Sequence, residues 1–231
     1  MTALLMFAVY ETVQGAIQLL RVAPHVFAPA TMDAHPWISA YDHHFWQTVL
    51  SLAVLAAFSR GRVATHGVSL VNWRTSLRLF AWFMPAFTAI VFAWNVLPFL
   101  ISRVPPRFDY RLTPANITGW LTYMWLFAGI SEELLFRGVI QTELAKTWTR
   151  VWIVRGVAIP SAGVVATVIF CLAHVSGWPV YWPQQLFAAG LGMYYSIAYY
   201  RTGSLLTPVL AHNYSNGIIT AALYAVYWWL K

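Results

Sequence analysis

The chain has 231 residues, of which 60% are apolar and only 9% carry a charge. An ordinary soluble domain is about 45–50% apolar and about 25% charged, so this composition excludes a soluble enzyme, a disordered tail and a secreted disulfide scaffold. The formal net charge is +7, but the basic residues stand in short gaps between apolar runs and form no dense patch suited to nucleic acid. The sequence therefore predicts an integral membrane protein whose surroundings are lipids.

Seven apolar runs, taken in chain order, predict the helices. A membrane-spanning helix needs about 20 residues, and the last run is long enough to form one helix or two. The runs are Ala3–Leu20, His44–Phe58, Leu79–Ile101, Ile117–Ile130, Val157–His174, Trp182–Tyr200 and Leu205–Leu230. We predict an all-α, polytopic integral membrane helical bundle with seven transmembrane helices, or eight if the last run breaks.

The loops indicate one domain and an orientation. No repeat or linker divides the chain, so residues 1–231 are predicted to form a single integral membrane domain. The segments Ser59–Arg78 and Arg137–Arg155 carry four bases each, and Arg201 adds one, against three bases in the segment 103–111. Because cytoplasmic loops of membrane proteins are enriched in Lys and Arg, we expect the side with nine bases to be cytoplasmic.

Two adjacent glutamates follow the fourth run and are the first functional candidates. An ionisable residue at the centre of a span costs about 2.5–3.5 kcal/mol on insertion scales, which favours a functional reason for keeping it. Glu133 and Arg137 stand four residues apart, the spacing of a helical ion pair. Glu132 projects about 100° away from Glu133 on a helix, so its carboxylate faces other surroundings. The alternative is a charge cluster that simply ends the span.

Two further segments carry polar residues. His174 ends the fifth run, a position that is also typical of an interfacial or packing histidine. His212 and Asn216 stand four residues apart and share one helix face. Together they can hold a water, a metal or a developing oxyanion, and the alternative is hydrogen bonding between membrane helices.

In this order, the three segments resemble the CPBP family of intramembrane proteases. That family includes the CAAX prenyl endopeptidase type and bacterial proteins linked to bacteriocin self-immunity or processing. Its pattern is Glu-Glu-x-x-x-Arg, then Phe-x-x-x-His, then His-x-x-x-Asn or Asp. The matching residues here are Glu132, Glu133 and Arg137, then Phe170 and His174, then His212 and Asn216. The motif-bearing catalytic core covers about residues 112–230, whereas residues 1–110 match only in being hydrophobic.

The resemblance implies a helical bundle around a polar cavity near the cytoplasmic side, and an intramembrane endopeptidase. Its substrate would be a membrane-associated or C-terminally anchored protein, such as a lipid-anchored peptide. Glu132 is implied to be the base that activates water. Glu133 and Arg137 are implied to form the pair that holds this segment in place.

His174 and His212 are implied to polarise the substrate or to move protons. Asn216 is implied to donate a hydrogen bond to the oxyanion. We favour a glutamate-type mechanism without a cofactor. Zinc or another divalent metal is the alternative, held by His174, His212 and Glu132, since two histidines and a glutamate can complete a zinc site. No His-Glu-x-x-His motif is present.

Two other functions compete with proteolysis. A non-catalytic immunity or scaffold protein of the same family would keep the cavity without turnover. A proton-coupled transporter would use Glu11, Glu132 and His174 as a relay, but polar residues concentrate in runs four to seven and no inverted repeat is visible.

The expected location is a bacterial or archaeal cytoplasmic membrane, with the active site toward the cytoplasmic side.

Overall fold

The computed structural model describes residues 1–22, 34–175 and 177–231, and nearly all regular structure in them is helical. The helices are α1 (Thr2–Val22), α2 (Pro36–Ser59), α3 (Trp73–Val91), α4 (Leu97–Ser102), α5 (Pro114–Leu126), α6 (Ala128–Glu133), α7 (Thr142–Ala145), α8 (Ser161–Ala173), α9 (Trp182–Thr202) and α10 (Leu206–Leu230). Two π-helical segments, π1 (Phe92–Val96) and π2 (Leu134–Gln141), join α3 to α4 and α6 to α7. A 3₁₀ turn, Val63–His66, follows α2. The predicted all-α class is confirmed.

A β-hairpin precedes α8, and here the predicted fifth run is wrong at its start. Strand β1 (Val151–Val154) pairs antiparallel with β2 (Val157–Pro160). Arg155 and Gly156 form the turn with φ of 49° and 80°, the left-handed backbone that two-residue hairpin turns require. Because β-branched residues favour extended structure, the first four residues of the run join a strand and the helix begins only at Ser161.

Other predicted runs differ from the helices mainly at their ends. The second helix begins at Pro36, eight positions before the predicted His44, since proline at the first helical position is already constrained to helical φ. The fourth run is divided at Phe127, between α5 and α6. The last run is one continuous helix, α10, so the break required for eight helices does not occur.

Two of these helices are long and apolar enough to cross a membrane by length and composition. Within the described residues they are Thr2–Leu20 and Trp73–Ser102, the second formed by α3, π1 and α4 together. Large apolar side chains also lie exposed on the outside of the bundle, such as Trp82 at 75% and Leu186 at 63%. Exposed apolar surface on this scale is typical of contact with lipid or a partner. The count of seven spans stays a prediction.

The segment π2 lies at the centre of the bundle. All eight of its residues are buried. Leu135, Phe136 and Ile140 pack in the main hydrophobic cluster with residues of α1, α8 and α9. The motif with the two glutamates therefore continues into a fully buried segment, where its polar groups must find partners within the fold.

Small residues allow α5 and α10 to approach closely. A Cβ atom added at Gly217 in α10 would overlap the indole ring of Trp125 in α5. Glycine at such contacts is a common device in membrane helix packing. In contrast, Gly190 in α9 has no atom within 4 Å of the position that its Cβ would take.

We expect Gly217→Ala to lower the free energy of unfolding by about 1–3 kcal/mol, because the added methyl overpacks a contact with a rigid ring. Gly190→Ala, the same change at an open position, should leave stability unchanged or raise it by less than about 1 kcal/mol. Thermal unfolding of both variants in detergent measures the difference. Equal melting temperatures for the two would contradict this packing.

Candidate active site

A buried ion pair anchors the site. Arg137 Nη1 donates to Glu133 Oε1 at 3.0 Å, and neither side chain has any exposed surface. Arg137 Nη2 donates to the backbone carbonyl of Gly192 in α9 at 2.9 Å. The guanidinium also lies over the rings of Phe170 at 4.7 Å and Tyr195 at 5.3 Å, contacts that favour a cation. The ion pair expected from the four-residue spacing is present and ties π2 to α9.

His212 is oriented by the same carboxylate. Its Nδ1 lies 2.7 Å from Glu133 Oε1. Because a carboxylate only accepts, Nδ1 donates, and in the neutral ring Nε2 then carries the lone pair. Nε2 lies 3.8 Å from Glu132 Oε2. The ring of Tyr195 stacks on the imidazole at 5.2 Å, which further restricts its rotation.

His174 approaches the same oxygen from another helix. It stands at the carboxyl end of α8, where Nδ1 donates to the carbonyl of Phe170 at 2.8 Å. Its Nε2 lies 3.8 Å from Glu132 Oε2 and, in the neutral ring, carries the lone pair. Two imidazole nitrogens, one at the end of α8 and one in α10, therefore lie at the same distance from one carboxylate oxygen of α6.

Asn216 faces the cavity beside these residues. The cavity has a volume of about 270 Å³ and is lined by His174, His212 and Asn216 together with aromatic side chains. Glu132, 16% exposed, lines a separate polar pocket of about 200 Å³ that residues of α1 and α2 complete, and His174 lines both spaces. The structure thus brings all six predicted site residues together around the carboxylates: Glu132, Glu133, Arg137, His174, His212 and Asn216.

A hydrogen-bonded group from α2 supports this site, and sequence reasoning missed it. Ser131 Oγ donates to Gln47 Oε1 at 3.1 Å and lies 2.6 Å from His44 Nδ1. Since the single hydroxyl hydrogen goes to Gln47, His44 donates to Ser131. These bonds hold the residue directly before Glu132. The only sequence signal was a pair of polar side chains at one end of an apolar run.

Asn213 is a second support that the motif pattern did not identify. Its Oδ1 accepts a hydrogen bond from the backbone N–H of Gly129 at 2.7 Å. A Cβ at Gly129 would lie only 2.8 Å from that oxygen and from His212 Cβ. The first turn of α6 therefore packs directly on α10, which positions Glu132 against the histidines.

Glu132, His174 and His212 carry the ligand types that zinc accepts. The distances between their ligand atoms are larger than those in a zinc site. Two ligands of a tetrahedral zinc at about 2.05 Å lie about 3.3 Å apart, whereas Glu132 Oε2 lies 3.8 Å from each imidazole Nε2. Within the described residues, no group of three or more His, Cys, Asp or Glu side chains is arranged to hold a metal ion. Glu132 Oε2 itself has no hydrogen-bond partner there.

The depth of the site can be read along the helices. The basic loops share one end of the bundle, since Leu205 N–H donates to Gly67 O at 2.9 Å and His66 Nε2 lies 2.9 Å from Glu143. At 1.5 Å per residue, His44 is about 12 Å from Pro36 and about 22 Å from Ser59, which adjoins that basic end. By the same measure, His212 in α10 is about 10 Å from Leu205 at the basic end and about 27 Å from Leu230. The site therefore lies at an intermediate depth of the bundle, and its expected position toward the cytoplasmic side stays a prediction.

One of the nine bases on the expected cytoplasmic side does not lie in a loop. Arg137 is fully buried against Glu133. A residue held inside the bundle contributes no loop charge, so it does not help orient the chain.

Comparison with known proteins agrees with the motif pattern. Residues 114–218 match the family model described as type II CAAX prenyl endopeptidase Rce1-like. This segment contains every predicted site residue, and its match to a CAAX protease family model confirms the resemblance to the CPBP family. No curated protein and no solved structure matches the chain.

We expect Arg137→Leu to destabilise the protein by about 3–5 kcal/mol, because it leaves the Glu133 carboxylate buried without its cation. Arg201→Leu removes the same charge from an exposed position and should change stability by less than about 0.5 kcal/mol. Chemical denaturation of purified protein in detergent compares the two. Similar losses in both variants would contradict a buried pair.

Proposed function

We propose that the chain is an intramembrane endopeptidase that hydrolyses a peptide bond in a membrane-associated or C-terminally anchored protein. The observation that carries this proposal is the unpartnered Glu132 Oε2, 3.8 Å from Nε2 of both His174 and His212. A carboxylate within reach of a water can accept its proton as the water attacks. Membership of residues 114–218 in a protease family supports the same reaction class.

In the proposed reaction, the oxygen of a water attacks the scissile carbonyl carbon and its proton passes to Glu132. A tetrahedral oxyanion forms, and the NH₂ group of Asn216 donates to it. Nε2 of His174 or His212 donates as well only in the protonated ring, where it carries a hydrogen. Collapse of this intermediate breaks the C–N bond, and the leaving nitrogen takes the proton that Glu132 received. The products are a carboxylate and an amine, and no group outside this chain is consumed besides water.

The Glu133–Arg137 pair acts on the reaction through His212. Glu133 accepts the Nδ1 hydrogen and so directs Nε2 of His212 toward Glu132. A carboxylate in this position fixes the tautomer of the ring and favours its protonated form as charge develops. Arg137 donates to the same oxygen of Glu133 and pairs with its charge in a fully buried position. We therefore assign the pair a positioning role.

An apolar groove supports a substrate with a hydrocarbon anchor. The groove has a volume of about 430 Å³ between α3 and α9. It shares Trp94, Phe187 and Leu191 with the cavity that His174, His212 and Asn216 line, so an apolar chain lying in it would end beside these residues. The matched family is described as a prenyl endopeptidase, and we propose a lipid-anchored or membrane-embedded peptide as the substrate class.

The proposal includes a seven-span bundle in a bacterial or archaeal cytoplasmic membrane. Exposed apolar residues around the bundle, among them Trp182 at 69% and Trp229 at 80%, support contact with lipid. Tryptophan is enriched where a membrane meets water. The proposal also places the active site toward the cytoplasmic side, where the basic loops are expected.

Glu132→Gln tests the reaction directly. Removing the base should lower the rate of cleavage by about 10²–10⁴-fold, so protein termini formed by the enzyme should disappear. Mass spectrometry of membrane-protein termini in cells that express the unchanged chain or the variant measures this loss. Glu11→Gln, the same substitution on the exposed face of α1, is the matched control and should retain every terminus.

Identical termini in cells with the unchanged chain and with Glu132→Gln would refute the protease assignment. That outcome would instead favour the non-catalytic immunity or scaffold function.

A chelator tests the glutamate-type mechanism against a metalloprotease. We expect EDTA or 1,10-phenanthroline to leave cleavage by purified protein in liposomes unchanged, using a protein whose terminus depends on Glu132 as substrate. The physical reason is that a carboxylate can take the proton of an attacking water without a metal, and the 3.8 Å from Glu132 Oε2 to each imidazole Nε2 exceeds the separation of two zinc ligands. Loss of activity, with recovery on adding zinc, would show that Glu132, His174 and His212 hold a metal.

A further inference from the structure

A polar side chain from outside the family segment lines the same cavity as His212 and Asn216. It is Asn95, in π1. Its Nδ2 atom is buried and has no hydrogen-bond partner within the described residues. From position 89 to position 101 it is the only side chain with an amide, a hydroxyl or a charge. A buried donor without an acceptor is unfavourable, so its place in a cavity wall indicates an acceptor on a bound molecule.

The local backbone explains how Asn95 comes to face the cavity. Phe83, Phe87 and Val91 form a buried stripe at four-residue intervals, and Asn95 is the next position in that series. Pro98 lacks an N–H, and its ring crowds the carbonyl of the residue four positions earlier. The helix widens there, and Leu97 N–H donates to the carbonyl of Phe92, five residues back. Such π segments are often found at functional sites.

The chemistry of Asn95 limits what it can bind. An uncharged NH₂ group is a donor suited to a carbonyl oxygen, and it sits where the polar cavity meets the apolar groove. Trp94, the residue before it, lines both of these spaces. Rotation about the Cβ–Cγ bond of an asparagine is soft, so the amide can turn toward a bound chain without moving the helix.

We infer that Asn95 donates a hydrogen bond to a backbone carbonyl of the substrate peptide and holds the peptide in register between the groove and Glu132. This inference rests on the proposed protease function. It adds Asn95, a residue of π1, to the residues that bind the substrate. Asn95 is distinct from Asn216, which belongs to the family motif and lies on α10. A role in helix packing would require a partner for Nδ2 in the folded chain.

A substrate-binding role and a packing role make opposite predictions for stability. Asn95→Leu keeps the volume of the side chain and removes the unpaired donor. We expect the melting temperature of the purified protein without substrate to rise by about 2–4 °C. Phe92→Leu, at the 52% exposed residue of the same segment, should leave it within about 1 °C. A lower melting temperature for Asn95→Leu would mean that the amide has a structural partner, which overturns the inference.

Activity is the second measurement. The initial rate at which Glu132-dependent termini appear in cells after induction should fall about tenfold in Asn95→Leu, roughly the effect of one lost hydrogen bond. Asn95→Asp keeps the shape but has no N–H, and it should lose a similar factor. Phe92→Leu should retain the full rate.

The outcomes separate the two proposals. Glu132-dependent termini that form at the full rate in both Asn95 variants overturn the role of Asn95 and leave the protease function in place. If the unchanged chain produces no Glu132-dependent termini, the protease function fails, and the role of Asn95 in it fails as well.

Discussion

The rest of the site depends on one buried carboxylate, that of Glu133. An isolated charge inside a protein is strongly unfavourable, and Glu133 is accommodated because Arg137 and His212 both donate to its Oε1 atom. Arg137 extends the connection to α9 through the carbonyl of Gly192. One carboxyl group thereby fixes the relative positions of π2, α9 and α10. Removal of any member leaves a buried polar group unpaired, so the arrangement is held as a unit.

Glu132 is free for chemistry because its neighbour has taken the structural role. The two carboxylates are adjacent in sequence, but Glu133 is fully buried with two donors on its Oε1 atom, whereas Glu132 faces a cavity. Hydrogen bonds to α2 hold the backbone next to Glu132 in place. Ser131, directly before it, bonds to His44 and Gln47 of α2. Residues of the first 110 positions, which carry no family motif, thus complete the surroundings of the motif residues.

The sequence predicted the features that depend on local spacing. Apolar runs located the main helices, and the four-residue spacing identified both the Glu133–Arg137 pair and the shared face of His212 and Asn216. The prediction from the sequence failed at the hairpin before α8. There a short apolar stretch with β-branched residues fits a strand as well as a helix. It also failed at π1 and π2, since widening of a helix depends on how its backbone is accommodated by neighbouring elements.

The sequence by itself determined the class of protein, the helical composition and the motif residues, because these follow from composition and from spacing within one helix. Only the tertiary structure decided which of those residues meet. His212 reaches Glu133 across 79 positions, and His44 reaches Ser131 across 87. The same packing places the amide of Asn95 in the cavity wall. Contacts over such separations depend on how whole helices pack, and no pattern within a single segment specifies them.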